Sequence, residues 1–246
     1  MTCKAEVIGG VEVQFIKKEN LKNVYLRVNP PEGDVTVSAP INYPDDELRL
    51  FILKKLPEIH LIRAKMQSQE RQSKREYISG ESHYLWGKPY RLDVEATGTS
   101  YEIMKLPNRI LFKVPEGATR ENKEKHFNEW YRTELKRVLD SMIPRIETKM
   151  DLYADEYKIK NMKTKWGTCN IEKRRIWINL QLSKKPMECL EYVLVHEMVH
   201  LLERNHTHRF FALVEEYYPS WKEAKKRLEG MPLDYMKKGE NRGDEE

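Results

Sequence analysis

Apolar and polar residues alternate in period two through much of the first forty positions, at Val11-Glu12-Val13-Gln14-Phe15, Val24-Tyr25-Leu26-Arg27-Val28 and Asp34-Val35-Thr36-Val37-Ser38. Successive side chains of a strand point to opposite faces, so the pattern predicts three half-buried strands. Pro30-Pro31-Glu32-Gly33-Asp34 separates the last two as a hairpin-like turn. From Asp45 the period lengthens, and Leu48, Phe51, Ile52, Ile59, Ile62 and Met66 fall on one helical face. Pro57 is expected to break or kink that helix, because it lacks an N–H and its ring crowds the preceding turn. A second strand group follows at Tyr84-Leu85, Tyr90–Val94, Tyr101–Ile103 and Arg109–Val114, with Gly80, Gly87, Gly98 and Pro107-Asn108 at its turns.

The pattern then changes. Phe127, Trp130, Tyr131, Leu135, Val138, Leu139, Met142 and Ile146 recur at helical spacing and predict a long helix from Thr119 to about Met150. Short strands are expected around Tyr157–Ile159 and Arg175–Asn179. The segment from Pro186 to Leu202 is apolar almost all round, which predicts a buried helix with Pro186 in its first turn. Thr207 can cap a further helix that runs to Tyr218 with Phe210, Phe211 and Val214 on its core face; Pro219 ends it, and Trp221–Leu228 forms a last short one. The residues after Lys237 carry nothing to bury and are expected to be disordered. No repeat with a fixed period is legible. The chain therefore reads as α+β, with a β-rich region over 1–117, a region bearing the chemistry over 118–236, and a tail over 237–246.

Composition narrows the setting. The 246 residues are 34% charged and 39% hydrophobic, without an apolar run long enough to span a bilayer, so no membrane role is expected. The start, Met1-Thr2-Cys3-Lys4-Ala5-Glu6, lacks a secretory pattern, and a cytoplasmic setting is expected. Cys3, Cys169 and Cys189 form no CxxC pair, which suits a reducing compartment and argues against a disulfide framework. The net charge of +5 is compatible with nucleic-acid contact without demanding it.

The chemistry concentrates in His196-Glu197-Met198-Val199-His200, with His206 six residues on. Histidines four apart on a helix lie one above the other, so His196 and His200 can reach one metal ion. Glu197 falls beside them, placed to hold water as the catalytic carboxylate without itself being a ligand. His206 lies past the helix end, where a returning chain can supply a third nitrogen. Three protein ligands and an open fourth position form the catalytic zinc pattern. Burying two imidazoles and a carboxylate without partners would cost several kcal/mol, roughly 2–7 for an unpaired polar group, and a metal supplies the missing partner. His208 is the rival third ligand, but it falls in the first turn of the next helix. Asn205, which tolerates left-handed geometry, is expected to make the reversal between them. The strand Arg175–Asn179 is expected to offer an edge to an extended peptide. Spacing identifies no oxyanion donor among Trp166, Asn179, Tyr217 and Tyr218.

Lys165-Trp166-Gly167-Thr168-Cys169, Ile178-Asn179-Leu180, Tyr192–Leu201 and Asn205-His206-Thr207-His208-Arg209-Phe210-Phe211 together resemble the YgjP-like metallopeptidases, predicted zinc hydrolases related to the SprT-like and Wss1-like proteases. Ser79-Gly80-Glu81 and Leu85-Trp86-Gly87-Lys88-Pro89-Tyr90 resemble that family's N-terminal half. The resemblance implies His196, His200 and His206 as zinc ligands, Glu197 as the catalytic carboxylate, a zincin-like second half with an H-E-x-x-H active-site helix, and peptide or protein substrates. Lys165 and Thr168 stand where the family usually has Arg and Ser, and Glu203 stands where metzincins have a turn glycine. Two other readings stay open: a zinc hydrolase of a non-peptide bond such as a nucleotide phosphoanhydride, and a nucleic-acid-associated protease or binding module. The first lacks a glycine-rich phosphate loop; the second would show salt-dependent DNA binding that survives loss of Glu197.

Overall fold

The alternating strands of the start assemble into a sheet backed by one helix. In the computed structural model, which describes residues 2–29, 32–68, 74–97, 99–162 and 164–231, these are β1 (Thr2–Ile8), β2 (Val11–Lys18), β3 (Tyr25–Asn29) and β4 (Asp34–Pro40). They lie in the order β1-β2-β4-β3, with β2 and β4 parallel and the other neighbours antiparallel. The inward positions Val11, Val13 and Phe15 of β2 and Val35 and Val37 of β4 meet Leu48, Ile52 and Ile59 of α1 (Asp45–Ser68). Pro57 does not break α1, which continues through it to Ser68. β1 carries no readable alternation because it is an edge strand whose described side chains are mostly exposed.

The second strand group repeats this plan. β5 (Ser82–Leu85), β6 (Lys88–Ala96), β7 (Glu102–Lys105) and β8 (Arg109–Val114) lie in the order β5-β6-β8-β7, with β6 and β8 parallel, and a helix follows, α2 (Arg120–Met150). Both groups open with a two-residue hairpin in which both turn residues have positive φ: Gly9 and Gly10 at 56° and 79°, Trp86 and Gly87 at 52° and 77°. Such turns match the right-handed twist of the strands they join. The chain thus contains a ββββα unit twice, although no sequence period betrays it.

Beyond α2, whose first turn is capped by Thr119 and which ends on left-handed Asp151, a small sheet holds β9 (Glu156–Lys160), β10 (Gly167–Asn170) and β11 (Arg175–Asn179) in the order β10-β11-β9. A 3-10 turn (Leu180–Lys184) leads into α3 (Met187–Val199), followed by α4 (His208–Tyr217) and α5 (Trp221–Glu229). The β5–β6 turn fixes where α3 begins. Trp86 and Gly87 donate their N–H groups to the carbonyls of Ser183 and Lys184, and a side chain at Gly87 would meet Pro186 at 2.7 Å.

The molecule divides into a first unit carrying β1 to α1 and a second spanning Lys74–Met231. The boundary anticipated at 117/118 instead cuts through a single core. Leu92, Ile110 and Phe112 of the second large sheet pack in one cluster with Phe127 and Tyr131 of α2 and with Leu190, Leu194 and Met198 of α3. The switch near residue 118 is one of secondary structure, not of folding unit. Among the described residues no helix is long and apolar enough to cross a membrane. The tail 237–246, Pro30-Pro31 and Gly98 lie outside the described residues.

Candidate metal centre

α3 carries apolar residues on nearly every side and is buried accordingly, so its few polar groups need partners. Its last turn presents His196 and Glu197, and His200 closes the helix as its C-cap with helical backbone angles. The chain then reverses within a few residues. Leu201 N–H donates to the carbonyl of Met198, and Leu202 and Glu203 N–H both donate to that of Val199. Asn205 is not left-handed, in contrast to expectation. The overlapping turns from Met198 to Glu203 make the reversal, and a 2.7 Å bond from Thr207 N–H to the Asn205 carbonyl completes it. Thr207 caps α4 through Phe210 N–H, so His208 opens that helix as an exposed residue.

His196, His200 and His206 converge, with one nitrogen from each ring within 4.8 Å of the others. The Nε2 atoms of His196 and His206 are 3.0 Å apart. His208 is not part of this cluster. The Nδ1 of His200 lies 3.2 Å from the carbonyl oxygen of Glu203, which favours the tautomer that leaves Nε2 as a lone-pair donor toward the other two rings. Beneath all three lies Phe210, fully buried, with its ring centroid 4.8, 4.6 and 4.7 Å from those of His196, His200 and His206. The sequence marks Phe210 only as a core position of its helix; that it is a common floor for the imidazoles depends on the reversal.

The electrostatics favour neutral imidazoles at His196 and His200. Burial lowers the pKa of His196 to about 3, helped by repulsion from His200, His206 and Lys225. Burial also lowers that of His200. Neutral imidazole is the form that binds metal. Tetrahedral bonds of zinc to nitrogen set ligand nitrogens roughly 3.3 Å apart, close to the His196–His206 separation. Three imidazole nitrogens within 4.8 Å of one another are a donor set that fits a zinc ion. Glu197, 6% exposed, is raised to about 8 by burial, against the pull of Lys165.

β10 forms the opposite wall of an open cleft of about 960 Å³ that contains the three histidines and Glu197. The edge expected of Arg175–Asn179 is not there, because β11 is flanked by β9 and β10 on its two sides. β9 and β10 are the two edge strands, and β10, the one that lines the cleft, was missed because four residues containing a glycine carry no readable alternation. Within the cleft Gly167 approaches Glu197 so closely that an added Cβ would lie 2.6 Å from Cγ and 2.7 Å from Oε1. Cys169 lines the cleft but is not in the histidine cluster; burial and Glu197 push its thiol up to about 11, so it stays protonated.

The four possible oxyanion donors separate. Asn179 is buried and its amide is fully engaged with backbone groups. The Tyr218 hydroxyl donates to the carbonyl of Glu188, and Tyr217 does not line the cleft. Trp166 does line it. Of the remaining histidines, His83 is buried beside Glu81, with its Nε2 2.9 Å from Oε2, and His126 stacks on Tyr101.

Comparison with known proteins places these features in context. A family model described as YgjP-like, metallopeptidase domain, matches residues 22–231. No curated protein matches the chain. Among solved structures the chain is similar to the metallopeptidase zymogen abylysin of Pyrococcus abyssi, at 19% identity and a TM-score of 0.34, over 37% of this chain and 90% of that one. It is similar too to the metallopeptidase zymogen jannalysin of Methanocaldococcus jannaschii, at 19% identity and a TM-score of 0.33, over 37% of this chain and 92% of that one.

Proposed function

The chain belongs to the YgjP-like metallopeptidase family, and from that premise we propose that it is a zinc-dependent peptidase with a zincin-like site, in which His196, His200 and His206 hold the ion and Glu197 is the general base. The observation that carries this reading is the convergence of three imidazole nitrogens within 4.8 Å at the end of the helix that also bears a buried carboxylate. Zinc, when bound, supplies a Lewis acid that polarises a peptide carbonyl and brings the pKa of water toward about 7.

The protein's own groups do the rest. Glu197 takes a proton from the attacking water on a carboxylate oxygen and delivers it to the leaving amine nitrogen. Its low-dielectric surroundings raise its affinity for that proton, which keeps the proton at hand between the two events. With a cation held by the neighbouring histidines, the affinity of Glu197 for the proton would fall toward a value compatible with a base at neutral pH. The free edge of β10 can pair with an extended substrate backbone, giving affinity without a demand for particular side chains.

The test uses the full chain, reconstituted with zinc, on labelled casein and on nucleotide substrates. Casein cleavage that Glu197→Gln abolishes, with zinc still bound, is the expected result. Hydrolysis of nucleotides with casein untouched would transfer the same site to a different bond.

A further inference from the structure

β9 and β10 lie on opposite sides of β11, so the chain leaving β9 at Lys160 must cross the end of β11 to begin β10 at Gly167. Asn179, the last residue of β11, stands at that crossing. Its Nδ2 donates to the carbonyls of Met162 and Lys165 at 2.8 and 2.6 Å. Its Oδ1 accepts from the N–H groups of Met162 and Gln181 at 3.2 and 3.1 Å, and its own N–H donates to the Trp166 carbonyl at 2.9 Å. One buried residue thus ties the crossing loop down, its side-chain amide at Met162 and Lys165 and its backbone N–H at Trp166, the residue before Gly167. The ladder pair Gly167–Ile178 then fixes the strand's register.

What this arrangement delivers to the cleft is Gly167. The residue lies in strand backbone, without the positive φ that would demand glycine. The demand comes from across the cleft: a Cβ there would stand 2.6 Å from Cγ, 2.7 Å from Oε1 and 2.9 Å from Cδ of Glu197. Resting on the reading of Glu197 as the base, we infer that Asn179 and Gly167 are positioning residues, which hold the wall of β10 against the Glu197 side chain and so fix where its carboxylate points.

The atoms nearest a Cβ at Gly167 all belong to Glu197, and the Asn179 amide bonds backbone groups, so metal binding and carboxylate placement are separable. A misplacement of about 1 Å at a reacting group can cost about a hundredfold in rate. In the full zinc-loaded chain acting on labelled casein, Gly167→Ala is expected to lower kcat by about a hundredfold. KM and zinc affinity, the latter by competition with a chelator, should stay within about threefold, well below that loss. In a Glu197→Gln background the same substitution should cost little more, because the group it displaces is already disabled. A full loss in both backgrounds, a parallel loss of zinc, or a Gly167→Ala enzyme with unchanged kcat would each overturn the inference.

Asn179→Asp tests it without adding an atom to the cleft. The substitution keeps the side chain's shape but turns an acceptor toward two carbonyl oxygens, and it should lower kcat at least about tenfold with zinc retained. Should Gly167→Ala fail to melt cooperatively, Asn179→Asp decides the matter, and an unchanged kcat overturns the claim. If Glu197→Gln itself keeps full activity, the general-base reading falls and this inference with it. If Glu197→Gln is inactive and Gly167→Ala fully active, only the positioning is lost.

Discussion

Glu197 occupies surroundings in which a carboxylate is costly to keep charged, beside a cluster of three imidazoles, two of which, His196 and His200, burial favours in the neutral form. Such a juxtaposition has little structural use without a cation. Replacing Glu197 by Gln preserves volume and removes the basicity, so hydrolysis should fall by about a thousandfold while zinc stays bound. Parallel assays of casein cleavage and zinc content check this; loss of zinc with retained turnover would reverse the roles. At this scale the sequence was highly legible, because His196, Glu197, His200 and His206 lie within eleven consecutive residues and their geometry is largely set by one helix turn and one reversal. The contact between Gly167 and Glu197, thirty positions apart, depends on how a sheet meets a helix and left no local signal beyond the glycine itself.

Between elements, α4 supports the histidine cluster through Phe210. Phe210 is fully buried and touches all three imidazoles, so Phe210→Ala should cost about 3–5 kcal/mol of stability and weaken zinc binding, as loss of supporting contacts around ligands commonly does by about tenfold or more. Chemical denaturation and chelator competition measure the two effects; unchanged zinc affinity would reduce Phe210 to an ordinary core residue. The periodicity located α1, α2 and α3 well, since each has many residues over which a pattern accumulates. It missed β10 and assigned the substrate edge to β11, because which strand lies at an edge is decided by pairing partners distant in sequence. It also gave the reversal to a left-handed Asn205, whereas overlapping backbone bonds at Val199 and Met198 accomplish it.

At the scale of the whole molecule, the two cores are separate and the second unit carries every residue of the candidate site. A fragment beginning at Lys74 should therefore fold and bind zinc, with a cooperative melt and a zinc content matching the full chain; a molten fragment would show that the first unit is needed for folding. The duplicated ββββα unit was hidden from the sequence because topology and turn geometry persist where residue identity does not: Gly9-Gly10 and Trp86-Gly87 make equivalent turns. The second unit should also have a characteristic acid limb. Burial depresses the pKa of His83 to about 4, against the pull of Glu81 and with smaller repulsion from Arg75 and Lys184. Because the unfolded chain binds that proton near pH 6.5, stability is fully present above about 6.5 and is lost as pH falls toward about 4, with a slope of up to about 1.4 kcal/mol per pH unit. His83→Gln should flatten that slope in denaturation measured across the window; an identical slope would place its origin elsewhere. The proposed zinc site of His196, His200 and His206 is tested most directly by one comparison: zinc content and affinity of the full chain beside those of His206→Ala and His208→Ala. Close to one zinc per chain, sharply weakened in His206→Ala and hardly changed in His208→Ala, is the predicted result. No bound zinc in the unsubstituted chain after reconstitution, or the opposite ranking of the two variants, would contradict it.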